Sequence, residues 1–145
     1  MSIWHARPTL EALRQQAQGT MIAHLGIEFL EVGDDYLSGR LPVDARSVQP
    51  FGILHGGASV ALAETLGSAA AHWCVDQAEQ VCVGLDINAN HVRAARSGYV
   101  IGTARPLHLG ASTHVWEIRI EDEQAQLVCI ARLTMAVLKR SSFPG

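Results

Sequence analysis

The feature of this sequence that most strongly suggests chemistry is one glutamate in a long uncharged stretch. Between Arg46 and Asp76 the only charged side chain is Glu64. The stretch opens with turn residues and continues into a proline-free run of Ala, Ser, Val and Leu, which predicts a loop entering a mostly buried helix. Carboxylates are rarely buried unless they are paired or functional, so Glu64 is the first candidate for catalysis. The alternative is a structural carboxylate paired with a backbone or histidine donor.

Two glycines, Gly56 and Gly57, stand where this helix should begin. The first N–H groups of a helix have no partner within it and carry the positive end of its dipole. Glycine also lets another backbone or a ligand approach closely. The N–H of Gly56 is therefore a candidate donor to a carbonyl oxygen that becomes negative during reaction. The alternative is that the pair only permits a tight turn from loop to helix.

The spacing between these two candidates constrains how they could act together. Glu64 follows Gly56 by eight residues, which is roughly 12 Å along a helix axis. That separation is too long for both groups to act on one carbonyl. If they serve one site, they come from two copies of the chain, in an obligate dimer whose central helices run antiparallel.

The motifs around these residues resemble the signature of hotdog-fold acyl-CoA thioesterases. The signature comprises Gln49-Pro50-Phe51-Gly52, Leu54-His55-Gly56-Gly57-Ala58 and Ala63-Glu64. The resemblance is greatest to the branch that contains arthrobacter-type 4-hydroxybenzoyl-CoA thioesterase and the 1,4-dihydroxy-2-naphthoyl-CoA and enterobactin proofreading thioesterases. It covers nearly the whole chain, with further similar segments at 21–27, 33–35, 41–44, 84–93 and 106–110.

The resemblance implies roles for five catalytic candidates. Glu64 would act as nucleophile or as general base toward water, and the residues leave that choice open. Gly56 would donate to the oxyanion. Gln49 would bind the attacking water or the thioester oxygen, and His55 would orient the thioester or assist departure of the thiolate. Ser68, one turn after Glu64 on the same helix face, would hold the carboxylate or the water. The structural alternatives are a turn residue for Gln49, a half-buried histidine for His55 and a small packing residue for Ser68.

The resemblance also implies a binding region for coenzyme A, which is part of the substrate. Arg93 and Arg96 could pair with its phosphates, and Lys139 and Arg140 are weaker candidates from another subunit; the alternative for such side chains is a solvated surface. No separate cofactor or metal is expected, because the seven histidines show no HExxH or HxH spacing and no glycine-rich nucleotide fingerprint occurs. A serine nucleophile in a G-x-S-x-G motif is also absent. The residues expected beside the substrate are Val83, Asn90, His91, Val92, Arg93, Leu107, His108, Leu109, Gly110, Ala111 and Ser112.

Composition limits the number of domains, the kinds of partner and the compartment that are compatible with this chain. A chain of 145 residues fits a single domain, 1–145, and its 48% apolar and 17% charged content exceeds what a lone small domain needs, which favours oligomerisation. A net charge of −3 without a basic run argues against nucleic-acid binding. Cys74, Cys82 and Cys129 lack CxxC spacing and suit reduced thiols of a cytoplasmic protein. The N-terminal segment has no long apolar run, so neither a signal peptide nor a membrane partner is expected.

The patterns along the chain predict an α+β fold. We expect a helix over 9–18, strands over 27–32 and 36–43 joined by a hairpin at 33–35, and the long helix to about Trp73. Four further strands are expected over 81–89, 99–104, 114–120 and 127–138, with a loose tail from Lys139. Pro42 should place the second strand at a sheet edge or mark its end. This order agrees with the hotdog fold, an antiparallel sheet wrapped around one long central helix.

The combined interpretation is a cytoplasmic thioesterase that hydrolyses aryl- or medium-chain acyl-CoA and forms a homodimer that assembles into a homotetramer. Two alternatives come from other functional classes. A hotdog hydratase is disfavoured because the expected Asp-x-x-x-x-His pattern is missing around the central helix. A non-catalytic acyl-CoA sensor or carrier is disfavoured because binding alone does not require Glu64. Acyl-carrier-protein thioesters remain open as alternative substrates.

Overall fold

The computed structural model describes residues 1–143, and its elements follow the predicted order. One short helix was not predicted, because four residues are too few to show a helical period; its cap, Thr20, accepts a hydrogen bond from the N–H of Ile22 at 3.2 Å. The elements are α1 (Leu10–Ala17), α2 (Met21–His24), β1 (Glu28–Val32), β2 (Leu37–Pro42), α3 (Gly56–Cys74), β3 (Gln80–His91), β4 (Tyr99–Leu109), β5 (Thr113–Glu121), β6 (Leu127–Lys139) and a 3-10 turn (Arg140–Ser142).

The strands form one antiparallel six-stranded sheet in the order β1-β2-β4-β5-β6-β3. β1 and β3 are therefore the two edges. Pro42 is the last residue of β2, which lies between β1 and β4, so the proline ends a strand and does not mark an edge. The long edge strand β3 pairs on one side only, with β6.

The helix α3 packs against the sheet through small residues. Ala63, Ala70 and Ala71 are fully buried in this interface. A Cβ atom added to Gly67 would lie 2.6 Å from the Cδ2 of Leu133, so the helix and β6 approach as closely as a glycine allows. Within residues 1–143 no helix has the length and apolarity needed to cross a membrane.

Two strand ends and the C-terminal tail differ from the predictions. β3 continues to His91, two residues past its predicted end, and β4 continues to Leu109 across a register shift between Pro106 and His108, which interrupts the alternation that sequence patterns detect. Lys139 belongs to β6, and Arg140 is fixed: its N–H donates to the Glu79 carbonyl at 2.9 Å. The prediction of a loose tail from Lys139 was therefore wrong for residues 139–142, and residues 144 and 145 lie outside the described part.

The three cysteines are free thiols. Burial raises the pKa of Cys74 to about 12 and that of Cys82 to about 11. Burial also raises the pKa of Cys129. Burial therefore holds these thiols in their neutral form.

Candidate active site

The loop that leads into α3 is fastened by Gln49. Its side-chain Oε1 accepts a hydrogen bond from the N–H of Phe51, and its carbonyl accepts one from the N–H of Gly52 at 2.8 Å. The Gln49 N–H donates to the carbonyl of Ile53 at 2.9 Å, which closes the turn. Gly52 has a φ of 80°, a conformation that favours glycine. Gln49 is thus the turn residue considered as an alternative, and its amide NH₂ is the part left to meet a ligand.

His55 caps the start of α3. Its Nδ1 accepts a hydrogen bond from the N–H of Gly57 at 2.8 Å, and its own N–H donates to the Ser47 carbonyl at 2.8 Å. An Nδ1 that accepts carries no proton, so the proton of a neutral ring is on Nε2. No group within residues 1–143 accepts from the N–H of Gly56. A free donor therefore stands at the positive end of the helix dipole.

A cavity of about 440 Å³ opens beside this helix start. His91, at the end of β3, lies close to it: a Cβ on Gly56 would be 3.0 Å from the His91 Nε2. Gln49, Gly56, His91, Val92 and Arg93 therefore share one cavity. Its lining is completed by Ile53, Leu54, Ser59, Ala94 and Val128.

Glu64 lies in a different cavity, which also measures about 440 Å³ and is bounded by α3, α1, α2 and β1. The glutamate is half-buried in the single chain, whereas a buried carboxylate was expected. Its carboxylate stands against the edge strand: a Cβ on Gly84 would be 2.9 Å from the Glu64 Oε2. The cavity is lined by Leu13, Gln16, Ala17, Met21, Ile22, Leu25, Ile27, Phe29, Ala61, Glu64, Thr65, Ser68, Ala69 and His72.

Ser68 faces the same cavity as Glu64, one helical turn further along α3. Its hydroxyl donates to the sulfur of Met135 at 3.7 Å. Within residues 1–143 the Ser68 hydroxyl therefore donates to this sulfur and not to the carboxylate of Glu64. The proposed role of Ser68 in holding the carboxylate or the water stays a prediction.

The remaining predicted substrate residues occupy both ends of α3. Asn90 adjoins His91 on β3, near the helix start, and Val83 pairs with Ala136 of β6. The loop between β4 and β5 lies at the opposite end of the helix, because its central residues share a cavity of about 250 Å³ with Cys74. The end of β4 and this connection together are called the loop 107–112 below, and they consist of Leu107, His108, Leu109, Gly110, Ala111 and Ser112, of which Leu109, Gly110 and Ala111 line the cavity.

A single chain therefore separates the predicted site residues into two sets. Gln49, His55, Gly56 and the segment 90–93 gather at the start of α3. Glu64 and Ser68 lie in the middle of the helix, with the loop 107–112 beyond them. Among residues 1–143 no three His, Cys, Asp or Glu side chains are grouped so that they could hold a metal ion.

Sequence reasoning missed two features of the site. Gly84 leaves room for the Glu64 carboxylate, a contact across the fold that spacing along the chain does not reveal. His72 lines the Glu64 cavity. The signal for His72 was present, since positions 64, 68 and 72 follow the four-residue spacing of one helix face.

Comparison with known proteins identifies the family. Residues 51–129 match the model of the thioesterase superfamily. The chain is 54% identical over 136 residues to the 1,4-dihydroxy-2-naphthoyl-CoA hydrolase of Escherichia coli, covering 94% of this chain and 99% of that protein. It is 51% identical over 136 residues to the proofreading thioesterase EntH of Cronobacter turicensis, covering 94% and 98% of the two chains.

Solved structures of thioesterases superpose closely on this chain. The crystal structure of a Gln49→Ala mutant of thioesterase PA1618 from Pseudomonas aeruginosa superposes with a TM-score of 0.94 and 50% identity, over 95% of this chain and 99% of that one. Thioesterase HI1161 from Haemophilus influenzae superposes with a TM-score of 0.92 and 47% identity, over 94% and 95% of the chains. The chain belongs to the thioesterase superfamily, with the hotdog fold, and is a thioester hydrolase.

Proposed function

We propose that this protein hydrolyses acyl-CoA thioesters to the free acid and coenzyme A at sites shared between two subunits. The observation that carries the proposal is the separation of Glu64 and Gly56 into two cavities of one chain. An antiparallel pair of α3 helices would bring the carboxylate of one copy opposite the free N–H of the other. Two relatives support the substrate class, since they are named as a naphthoyl-CoA hydrolase and a proofreading thioesterase.

In the proposed mechanism Glu64 drives attack on the thioester carbon. It either activates a water molecule as a general base or attacks as a nucleophile and is released by water. In both routes water supplies the new C–O bond, the C–S bond breaks, and the coenzyme A thiolate takes up a proton. The carbonyl oxygen accepts a hydrogen bond from the N–H of the partner subunit's Gly56 as its negative charge develops.

His55 and Gln49 support this site in different ways under the proposal. The His55 ring caps the helix through Gly57, which holds the neighbouring N–H of Gly56 in place. The Gln49 oxygen fastens the loop, which leaves its amide NH₂ to donate to the thioester oxygen. Ser68 would donate to the Glu64 carboxylate or to the water once the substrate is bound.

The edge strand β3 supports the proposed dimer. Its unpaired side offers backbone N–H and C=O groups to a second copy of the same strand. Leu85 projects from this strand and is 63% exposed in the single chain. A homodimer built on β3 would cover this leucine, and the resemblance to the family extends the assembly to a homotetramer.

The two cavities support a division between acyl group and coenzyme A. The cavity beside Glu64 is mostly apolar, and about 440 Å³ suits an aromatic or medium-length acyl group. Arg93 lines the cavity at the helix start, where it could meet a phosphate of coenzyme A. The loop 107–112 would contact the pantetheine arm in the dimer, and no cofactor beyond the substrate is needed. The location we propose is the cytoplasm.

Thiol release from a panel of acyl-CoAs tests this function. The panel should run from benzoyl- and hydroxybenzoyl-CoA to octanoyl- and palmitoyl-CoA, with the wild type and Glu64→Gln. Loss of the carboxylate should reduce kcat on the order of 100-fold or more while the ester still binds. Binding without release of thiol by the wild type would instead support an acyl-CoA sensor, and equal rates in both proteins would exclude Glu64.

A further inference from the structure

His72 is the one ionisable side chain besides Glu64 in the lining of the cavity next to α3. The two residues, with Ser68 between them, occupy positions i, i+4 and i+8 of α3 and so share one helix face. The α3 residues that line the cavity run from Ala61 to His72, with Glu64 about one turn from the first of them and His72 the last toward the C-terminus. A polar ring therefore stands at the C-terminal end of a mostly apolar space, about two helical turns beyond the proposed catalytic carboxylate.

From this arrangement we infer that His72 selects the acyl group, by hydrogen-bonding a polar substituent, such as a ring hydroxyl, at the end remote from the thioester. The inference rests on the proposed function, because it takes the cavity beside Glu64 as the site of the acyl group. The substrate class that it names is a substituted aryl thioester. Unsubstituted aryl and plain alkyl acyl groups would leave the imidazole without this partner.

The distances fit a single aromatic ring. Eight residues of helix separate the Cα atoms of Glu64 and His72 by roughly 12 Å. Helical side chains lean toward the N-terminus, and because both side chains lean the same way, the distance between the carboxylate and the imidazole stays close to this value. A thioester carbonyl next to the Glu64 carboxylate, one aromatic ring and a hydrogen bond of about 2.8 Å together span this length.

The state of the imidazole suits a neutral partner. Burial, followed by the Arg140 cation, lowers the pKa of His72, and a hydrogen bond with the Gln77 side chain partly opposes this lowering. A neutral imidazole offers one N–H donor and one acceptor, so the ring nitrogen that does not face Gln77 is left for a hydroxyl, which can both donate and accept. The Gln77 amide also donates to the His72 carbonyl at 3.3 Å. The Trp73 ring lies edge-on to the imidazole, with 5.9 Å between the ring centroids.

The cavity contains other polar side chains, which serve as comparisons. Thr65 follows Glu64 directly in the sequence, so it lies near the thioester end. Gln16 of α1 is exposed, whereas His72 is half-buried. Leaving the second nitrogen of a partly buried imidazole without a partner costs more than leaving an exposed amide unpaired, so discrimination should come from His72 and not from Gln16.

The test compares kcat/KM for 4-hydroxybenzoyl-CoA and benzoyl-CoA in the wild type, His72→Phe, His72→Gln and Gln16→Leu. The wild type should prefer the hydroxylated ester by about 5- to 10-fold, the value of one neutral hydrogen bond. His72→Phe keeps an aromatic ring of similar size and should bring the ratio of the two kcat/KM values near 1. His72→Gln should keep part of the preference, and Gln16→Leu all of it.

The outcomes separate this inference from the proposed function. An unchanged ratio in His72→Phe, an equal loss of both substrates, or a loss of preference in Gln16→Leu would overturn the role of His72. A wild type that hydrolyses both esters without preference would also overturn it and leave the thioesterase function standing. A wild type that hydrolyses no ester of the panel would refute the proposed function, and the inference with it.

Discussion

The Nδ1 of His55 accepts a hydrogen bond 2.8 Å long from the N–H of Gly57, so the imidazole is the cap of the central helix. The neighbouring N–H of Gly56 keeps its orientation only if this helix start is ordered. The position of His55 beside the proposed oxyanion donor therefore has a structural explanation that does not require the ring to contact substrate.

Substitution of His55 separates capping from direct chemistry. His55→Ala should lower the free energy of unfolding by about 1 kcal/mol and lower kcat, because the cap is lost. His55→Asn supplies another capping side chain and should recover most of the lost free energy of unfolding and most of the lost kcat. Urea unfolding and thiol-release kinetics measure the two effects. If His55→Asn regains stability but stays as slow as His55→Ala, the imidazole itself takes part in the reaction.

The contact between Glu64 and Gly84 gives a second prediction. A methyl group on Gly84 would lie 2.9 Å from the carboxylate Oε2, so Gly84→Ala should displace the carboxylate and reduce kcat by about tenfold or more. The unfolding midpoint should change less, because the atom nearest to the added Cβ is the end of a flexible side chain and not a backbone atom.

A double-mutant cycle with Glu64→Asp checks that this effect acts through the carboxylate. The shorter side chain withdraws from β3, so Gly84→Ala should cost less in the Glu64→Asp background than in the wild type. Additive losses in kcat would show that Gly84→Ala acts by another route.

A third prediction concerns the stability of the sheet. A Cβ on Gly39 would lie 2.9 Å from the backbone oxygen of Glu28 and 2.8 Å from the Cδ2 of the fully buried Leu66. Neither neighbour can withdraw easily, so Gly39→Ala should lower the free energy of unfolding by about 1–3 kcal/mol. Chemical denaturation followed by circular dichroism measures this. A midpoint equal to that of the wild type would contradict the packing described around β2.

The fourth prediction concerns pH and His114. The side chain is 3% exposed, and burial, followed by the charge of His108, lowers its pKa. The unfolded chain takes up the proton more readily as the pH falls below about 6.5, so the free energy of unfolding should fall from there toward the lowered pKa of the folded state. His72 contributes in the same direction, because burial lowers its pKa as well.

Urea unfolding at pH 7.5 and pH 5.0 measures this dependence. His114→Phe removes one of the two histidines and should make the loss of stability between the two pH values smaller than in the wild type. A loss of the same size in both proteins would mean that His114 does not contribute to the pH dependence.

Local patterns predicted the parts of the fold that follow from sequence neighbours. Period-two alternation marked β5, and the apolar run after Gly57 marked α3. The short α2, with four residues, is below the length at which periodicity is visible. The tail after Lys139 was misjudged because its order depends on Arg140, which bonds to residues 77 and 79 of a distant connection.

The features of the site that depend on sequence neighbours were predictable as well. The uncharged surroundings of Glu64 and the glycines at the helix start were visible in the chain, as was the distance that separates them. The contact with Gly84 depends on packing between a helix and an edge strand, which one sequence does not reveal. A histidine cap was also hidden, since Ser, Thr, Asp and Asn are the usual capping residues.

The central claim, a site shared between subunits, is open to a direct test by complementation. Gly56→Pro removes the proposed N–H donor, and proline suits the first position of a helix, where it leaves the extended backbone of His55 undisturbed. Gly56→Ala is the matched control. It retains the N–H and places a similar Cβ 3.0 Å from the His91 Nε2, so it should remain active.

The measurement is the activity of mixed oligomers that contain Glu64→Gln and Gly56→Pro subunits, co-expressed with different tags and purified through both. Each variant alone should be nearly inactive. In a mixed dimer one of the two sites pairs an intact Glu64 with an intact Gly56, so activity should return to roughly a quarter to a half of the wild-type value per subunit. Mixed oligomers that stay as inactive as their parents would contradict a site built from two chains.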